Sequence, residues 1–174
     1  MSYPTPANVY LDSGILIGAV VAGSRHSSAS SDFCEQIALA GSTVFFSQIA
    51  RYELAHLAWC LASPADRRQL PTDIIQSYGL DYWESNMLVR QRWLNTVNQD
   101  FETLLSMFQE VYEIPIRERY WANALNIMSY YNLRSYDALH LATARDLRIR
   151  DFATCDRQFE SVDNLDLILV RDQT

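Results

Sequence analysis

The stretch NVYLDSGILIGAV, residues 8–20, predicts a buried strand followed at once by a helix. Residues 8–12 are mostly apolar or aromatic and end in Asp12, which is typical of a short strand that is covered on both faces. The residues that follow predict an apolar helix with Ser13 at its N-cap. An ionised carboxylate in such surroundings is unfavourable unless a partner compensates its charge. The stretch therefore raises the question of what compensates Asp12.

The rest of the chain repeats this alternation of short apolar strands and helices. Further strands are predicted at STVFF (42–46), VYEIP (111–115), DFATCD (151–156) and LDLILV (165–170). Further helices are predicted at 30–40, 47–62, 117–133 and 135–147. This alternation is typical of a parallel sheet with helices on both faces. We therefore expect an α/β fold, a three-layer α/β/α sandwich with a short, mainly parallel central sheet.

The length of the chain fits one domain with a substantial core, since it has 174 residues. We expect residues 1–174 to form a single domain with a helical insertion at about 66–110. Within it, residues 82–109 predict one or two amphipathic helices rich in Trp, Phe and Met. Their aromatic residues suit either core packing or a surface for another chain: Tyr82, Trp83, Trp93 and Phe101.

The charge and cysteine content exclude several classes of protein. A net charge of −7 argues against broad electrostatic binding to nucleic acid, although it leaves room for a local basic patch. The three cysteines, Cys34, Cys60 and Cys155, form no CxxC pair, which argues against a disulfide framework or a zinc site. No apolar run reaches the roughly 20 residues that span a bilayer. We expect a cytoplasmic protein that does not contact a membrane.

Four acidic side chains are predicted near the carboxyl edge of the sheet: Asp12, Glu53, Asp137 and Asp156. Asp12 and Asp156 end predicted strands, and the carboxyl ends of parallel strands meet at one edge, where α/β proteins bind ligands. Glu53 lies two turns into the helix after the second strand, on the flank of its apolar face. Asp137 lies just inside a helix for which Ser135 is the expected cap, and this helix precedes DFATCD.

Four carboxylates at one locus would repel each other and raise their pKa values, and a divalent cation removes that penalty. Mg²⁺ and Mn²⁺ prefer oxygen ligands, and a carboxylate pocket without a His or Cys cluster favours phosphoryl-transfer chemistry. Each acid also has a structural alternative. Asp12 could cap the helix that follows it, and Glu53 could be an ordinary residue on the flank of its helix. Asp137 could interact with the dipole of its helix from the first turn, and Asp156 could begin a turn.

Four stretches together resemble the PIN domain, and more narrowly the VapC-type toxins of toxin–antitoxin pairs. They are VYLDSGILIGAV, SQIARYELAHL, SYDALHLATA and DFATCDRQF, which span residues 9–159. The resemblance implies a metal-dependent ribonuclease that leaves a 5′-phosphate and a 3′-hydroxyl. It also implies that the four acids are catalytic and bind one or two Mg²⁺ or Mn²⁺ ions, with Asp12 and Asp156 as the expected direct ligands.

The resemblance further implies an RNA substrate, a small antitoxin partner and a homodimer. Arg157, beside Asp156, is the expected phosphate contact, and Arg150 and Ser13 are further candidates for substrate binding. A second RNA contact is conceivable in the insertion, at Arg67, Arg68, Arg90 and Arg92. The alternative for such arginines is an exposed helix face.

Gly14 departs from the pattern of such proteins, which usually carry a small polar residue at this position. It leaves open a second interpretation, a catalytically weak or inactive PIN-like module that binds RNA or protein. Gly14 also argues against a haloacid-dehalogenase type of phosphatase, because that chemistry needs an acid two positions after the first Asp. His140, three residues after Asp137, suits either a general base or a buried structural histidine, and the second interpretation is favoured.

Overall fold

A computed structural model of the chain describes residues 3–21, 24, 26–62 and 87–172. Its elements are β1 (Asn8–Leu11), α1 (Ser13–Val20), α2 (Ser27–Leu39), β2 (Thr43–Ser47), α3 (Ile49–Ala62), α4 (Met87–Leu105), β3 (Glu110–Ile114), α5 (Glu118–Tyr131), α6 (Ser135–Asp146), β4 (Asp151–Thr154), a 3-10 turn (Arg157–Ser161) and β5 (Asp166–Leu169). All five predicted strands are present, with their ends shifted by one or two residues.

The five strands form one sheet in the order β3-β2-β1-β4-β5, and every neighbouring pair is parallel. The predicted mainly parallel α/β sandwich is thereby confirmed. The central strand β1 pairs with β2 on one side and with β4 on the other, where Leu11 lies opposite Ala153. The carboxyl ends of β1 and β4 are therefore neighbours, although they are far apart in the sequence.

Each face of the sheet packs against its own hydrophobic core. The alternation of side chains along β1 sends Val9 and Leu11 into one core and Tyr10 into the other. The first core is filled from α1 to α4, and the second from α5 and α6. Helix α6 is buried continuously over residues 138–144, as its nearly uniform apolar sequence predicts. These two cores fix the ends of the strands that carry the acidic residues.

Part of the predicted insertion belongs to the first core. Trp93 and Phe101 of α4 are buried, and the Trp93 indole N–H donates a hydrogen bond of 3.0 Å to the Ala58 carbonyl of α3. Core packing is therefore the correct interpretation for these two residues. Other predicted positions lie outside the described side chains: Cys60, Arg67, Arg68, Tyr82, Trp83, Arg90 and Arg92. The single-domain boundary and the extent of the insertion stay predictions.

No helix in the described ranges is long and apolar enough to cross a bilayer. Cys34 and Cys155, the cysteines whose side chains are described, are both free thiols. Burial raises the pKa of the Cys34 thiol to about 12. Cys34 therefore behaves as a small apolar residue of the first core.

Candidate active site

Asp12 lies at the junction of β1 and α1, and it occupies the N-cap position that was expected for Ser13. The expectation for Ser13 is wrong by one residue, because β1 ends at Leu11 and Ser13 is already helical. The Asp12 carboxylate makes no capping hydrogen bond to the helix. It is only 5% exposed, and its Oδ2 accepts a hydrogen bond of 2.7 Å from the Thr154 hydroxyl of β4. A capping role therefore does not account for this carboxylate.

Thr154, the last residue of β4, connects two of the acids. Its hydroxyl donates to Asp12 and accepts the backbone N–H of Asp156 at 3.0 Å. The side chain is fully buried, so neither hydrogen bond competes with water. The sequence reasoning missed Thr154, although its hydroxyl stands out at the end of an apolar strand, two residues before an acid. Thr154 fixes Asp12 relative to the backbone that leads into Asp156.

Asp156 lies two residues beyond β4, whereas the sequence predicts it as the last residue of that strand. Its Oδ1 accepts a hydrogen bond of 2.8 Å from the Gln158 backbone N–H and caps the 3-10 turn. Asp156 therefore begins a turn, as its structural alternative predicts. Because Asp156 also lines the cavity described below, the turn orients the carboxyl group at the carboxyl edge of the sheet.

Asp137 is the third residue of α6, whose N-cap is Arg134 and not Ser135 as expected. Burial, followed by the negative charges of Asp12 and Asp156, raises the pKa of Asp137 to about 6. Burial also raises the pKa of Asp12, although His140 and the hydrogen bond from Thr154 oppose this. These carboxyl groups thus lie in a region that disfavours their negative charge and favours a cation.

Three of the four predicted acids line one cavity of about 470 Å³ at the carboxyl edge of the sheet. Its walls include Asp12, Ser13, Gly14, Asp137, Asp156 and Arg157. A Cβ at Gly14 would lie 3.5 Å from Asp12 Oδ2 and 3.9 Å from Cys155 Cβ, which are ordinary contacts. The glycine is therefore not required by packing, and it leaves space beside the Asp12 carboxylate.

Glu53 is the fourth predicted acid, and it does not line this cavity. It lies in the second turn of α3, and its Oε2 is 3.2 Å from Nε2 of His140. Its negative charge contributes to the raised pKa values of Asp12 and Asp137. Glu53 therefore belongs to the electrostatic surroundings of the cavity, and its contact with the other acids runs through His140.

His140 is completely buried between the acids and the second core. Its Nδ1 lies 3.0 Å from the Tyr10 hydroxyl, and its Nε2 lies 3.8 Å from Asp12 Oδ1. Burial lowers the pKa of His140, but the hydrogen bond with Glu53 and the charges of the nearby acids outweigh this, so the pKa is raised. Because His140 is enclosed, the buried structural interpretation fits better than a general base.

The predicted substrate-binding arginines occupy opposite ends of β4. Arg157 lines the cavity with a side chain that is 71% exposed, and it lies 3.8 Å from Glu160. Arg150 precedes β4 and pairs with Asp166 at 3.3 Å, on the far side of the sheet from Asp156. Only the first of the two is beside the acids, and the role of Arg150 in substrate binding stays a prediction. Arg171, which follows β5, also lines the cavity and was missed.

The oxygen donors of this cavity suit a hard divalent cation. In the described parts of the chain, no three His, Cys, Asp or Glu side chains are already arranged closely enough to hold a metal ion. Carboxylates from Asp12, Asp137 and Asp156 nevertheless border the same cavity, with the Ser13 hydroxyl beside them. Mg²⁺ characteristically uses one or two carboxylates and keeps several waters, so it does not require a closed protein cage. The donor set therefore fits Mg²⁺ or Mn²⁺.

Comparison with known proteins agrees with this arrangement. No curated protein sequence matches the chain. A chain of the VapBC2 complex from Rickettsia felis, bound to a DNA fragment from its promoter, is 14% identical with a TM-score of 0.55; the match covers 92% of this chain and 96% of that one. A chain of a toxin–antitoxin complex from Klebsiella pneumoniae is 19% identical with a TM-score of 0.51; that match covers 90% and 94%. At these identities the likeness establishes a shared fold.

The family assignment comes from the sequence. The family model for the PIN domain matches residues 9–165, which is most of the chain and includes all four predicted acids. The resemblance found in the four short stretches is thereby confirmed. The chain belongs to the PIN domain family.

Proposed function

We propose that this chain is a metal-dependent ribonuclease that hydrolyses phosphodiester bonds of RNA and acts as the toxin of a toxin–antitoxin pair. The observation that carries the proposal is the cavity at the carboxyl edge, where Asp12, Asp137 and Asp156 converge from three separate elements. The exposed guanidinium of Arg157 lies at the same cavity and suits a phosphate group.

The residues that would hold the cation are Asp12 and Asp156 directly, with Asp137 and Glu53 binding it through water or orienting the nucleophile. A bound Mg²⁺ or Mn²⁺ supplies a water of lowered pKa and stabilisation of negative charge on the scissile phosphate. Thr154 keeps the Asp12 carboxylate in place through its hydrogen bond of 2.7 Å. The hydrogen bond from Gln158 does the same for Asp156 at 2.8 Å.

Two further residues of the cavity wall, Arg157 and Ser13, bind and orient the RNA. Arg157 contacts a phosphate next to the scissile bond, because it directly follows Asp156 and its side chain lines the same cavity. The Ser13 hydroxyl, 3.5 Å from Asp12 Oδ1, donates to a phosphate oxygen or to the Asp12 carboxylate.

The proposed partner is a small antitoxin protein, because the two solved structures compared above are chains of toxin–antitoxin complexes. We propose in addition that the toxin acts as a homodimer in the cytoplasm, where its RNA substrate is found. Expression of the chain alone should stop growth of a bacterial host. Co-expression with the product of an adjacent small gene should restore growth, and a chain that never affects growth would contradict the toxin role.

The nuclease activity is tested by incubating purified protein with a labelled RNA in Mg²⁺, in Mn²⁺ or in EDTA. Cleavage by the wild type that depends on the metal and is lost in Asp12→Asn is the expected result. A DNA oligonucleotide of the same sequence serves as the control for substrate class. Equal cleavage by the wild type and by Asp12→Asn would contradict the proposal.

A second candidate is a PIN-like module that binds RNA or protein with little or no cleavage. Gly14 favours it, because this position lacks the polar group that related nucleases usually offer beside the first Asp. This module would retain RNA in a filter-binding assay at neutral pH and leave it intact in Mg²⁺ and in Mn²⁺. The two candidates are separated by running the binding and cleavage assays on the same RNA.

A further inference from the structure

A buried polar chain leads from the centre of the sheet to the acidic site, and the proposed chemistry uses only its last member, Glu53. It consists of Tyr10 on β1, His140 on α6 and Glu53 on α3. The Tyr10 hydroxyl lies 3.0 Å from His140 Nδ1, and His140 Nε2 lies 3.2 Å from Glu53 Oε2. Three different elements thus contribute one side chain each to a continuous hydrogen-bonded path.

The burial of this chain indicates more than space filling. Tyr10 and His140 are both completely buried, and the Glu53 side chain is 23% exposed. A buried polar ring is unfavourable unless its nitrogens are satisfied, and an apolar residue would fill the same volume without that requirement. Both ring nitrogens of His140 have a partner within hydrogen-bond distance. The ring is therefore held in one orientation about its own axis.

That orientation places a proton between His140 and Glu53 in either charge state of the ring. Burial strongly raises the pKa of Tyr10, so its phenol keeps its proton. When His140 is neutral, the tautomer with its proton on Nε2 satisfies both partners, because the Glu53 carboxylate only accepts hydrogen bonds and the Tyr10 O–H can donate to Nδ1. When His140 is charged, Nδ1 donates to the Tyr10 oxygen, and Nε2 carries a proton as well. In both cases the Nε2–H donates to the Glu53 carboxylate.

The same nitrogen also approaches Asp12, whose Oδ1 lies 3.8 Å away. The Nε2–H of His140 therefore lies between the carboxylate of Asp12, which borders the cavity, and that of Glu53, which does not. Without this ring, nothing in the described contacts of Glu53 would keep its carboxylate next to Asp12.

We propose that His140, oriented by Tyr10, is a positioning residue that fixes the Glu53 carboxylate beside Asp12 and so sets the affinity of the cavity for a divalent cation. This inference rests on the proposed function. Residues that orient metal ligands from behind change metal affinity by about 10–100-fold when they are replaced. The effect should therefore appear in metal binding without RNA, independently of cleavage.

Two polar substitutions of similar size distinguish positioning from packing. In His140→Gln, the side-chain amide reaches the place of Nε2 and donates to Glu53. In His140→Asn, the shorter amide reaches only the place of Nδ1, so the contact with Tyr10 is kept and the contact with Glu53 is lost. His140→Leu removes both contacts and keeps an apolar volume. Tyr10→Phe removes only the hydroxyl that orients the ring.

The measurement is the Kd of Mn²⁺ by isothermal titration calorimetry of the full chain without RNA, with the thermal melt in EDTA recorded for each variant. We expect His140→Asn and His140→Leu to weaken Mn²⁺ binding by about tenfold or more. We expect His140→Gln to remain within about threefold of the wild type, and Tyr10→Phe to weaken binding by about threefold. A purely structural role would lower the melting temperature of Gln and Asn variants without separating their Mn²⁺ affinities.

Equal Mn²⁺ affinities in His140→Gln and His140→Asn would overturn the inference, as would an unchanged affinity in Tyr10→Phe. If His140→Leu does not fold, the comparison of the two amide variants and Tyr10→Phe still decides the matter. RNA cleavage by the wild type is measured in parallel. A wild type that binds Mn²⁺ with the expected order of variants but cleaves no RNA would contradict the proposed function and leave the inference standing.

Discussion

The acidic side chains at the two edges of the sheet differ in the charged partners that the chain provides for them. At the amino edge, Asp166 lies 3.3 Å from Arg150, and Asp163 lies 3.5 Å from Arg145. These are ordinary exposed ion pairs, and pairs of this kind contribute about 0–1 kcal/mol each to stability. Both of these acids therefore have a cation from the chain itself.

At the carboxyl edge, the acids outnumber the cations that could compensate them. Asp12, Asp137 and Asp156 border one cavity, and Asp137 has its pKa raised to about 6 by burial and by the other two. Two arginines border the same cavity, Arg157 and Arg171, and Arg157 is itself close to Glu160. Since both edges are built from the same parallel strands, the contrast indicates that the carboxyl edge is arranged for a cation from outside the chain.

The largest effect is expected from removing a negative charge at the carboxyl edge, with the same change at the amino edge as the control. Asp12→Asn should reduce metal-dependent RNA cleavage by about 10³-fold or more, because it removes the negative charge of a direct ligand of the proposed cation. The matched variant Asp166→Asn at the amino edge should stay within about twofold of the wild type. Initial rates on the same labelled RNA provide the comparison.

The loss of cleavage in Asp12→Asn should not be accompanied by a loss of stability. Asp12→Asn keeps an oxygen that accepts the Thr154 hydrogen bond and removes a buried charge, so its melting temperature in EDTA should be equal to or above that of the wild type. A strong loss of stability in Asp12→Asn would mean that lost cleavage reports unfolding, and it would contradict this account of the carboxyl edge.

A second prediction concerns the stabilisation of the fold by metal. Mg²⁺ or Mn²⁺ at about 100 times its Kd should add about 2.7 kcal/mol to the free energy of unfolding. For a chain of this length, that corresponds to a rise in melting temperature of about 5–10 °C. Thermal melts of metal-stripped protein with and without Mn²⁺ measure it.

The controls for this shift again come from opposite edges. Asp137→Asn should shrink the shift, because it removes an oxygen donor and a negative charge from the cavity. Asp163→Asn should retain the full shift, because its partner is Arg145. Equal shifts in both variants would show that the stabilising ion binds elsewhere.

A third, smaller effect is expected from the arginines. Arg157→Ala should raise KM for RNA by about tenfold, since a charge-assisted hydrogen bond to phosphate contributes about 1.5–3 kcal/mol. Arg150→Ala should leave KM and kcat unchanged, because Arg150 lies beyond the amino end of β4. Steady-state kinetics on one RNA decide between them, and a larger effect of Arg150→Ala would move the substrate path to the amino edge.

The smallest effect is expected at Gly14. A methyl group there would make only ordinary contacts, at 3.5 Å from Asp12 Oδ2 and 3.9 Å from Cys155 Cβ. Gly14→Ala should therefore cleave RNA within about twofold of the wild type and gain up to about 0.5–1 kcal/mol of stability from helix propensity. Cleavage assays and thermal melts test this, and a large loss of cleavage would mean that the substrate needs the space beside Asp12.

The carboxyl edge could be predicted from the sequence because it follows from a general rule of parallel sheets. Apolar strands that end near acids bring those acids to one edge whatever the order of the strands. Asp12 and Asp156 could be placed at that edge on this basis, and Asp137 could be placed there because its helix precedes the strand that leads to Asp156. The errors at Ser13 and Ser135 are shifts of a helix cap by one residue, which local propensity does not resolve.

Other features depend on the strand order and on side-chain direction, which local patterns do not contain. The contact of Thr154 with Asp12 exists only because β4 pairs with β1. The contact of Glu53 with His140 joins α3 and α6 over 87 positions of sequence. Arg150 and Asp156 are close in sequence, but an extended strand of four residues separates its ends by roughly 13 Å. Proximity along the chain therefore does not place Arg150 beside the acids.

The pairing of β1 with β4 also determines when, during synthesis of the chain, the acidic cavity can form. Thr154 and Asp12 are 142 positions apart, so a ribosome that adds about 5–20 residues per second needs about 7–30 s to pass from one to the other. During this interval the nascent chain carries Asp12 without β4, Thr154 or Asp156. The acidic cavity is therefore incomplete while the chain is still being elongated through these positions, close to ribosomal RNA. A protein with the proposed activity would gain it only after β4 has emerged from the ribosome and paired with β1.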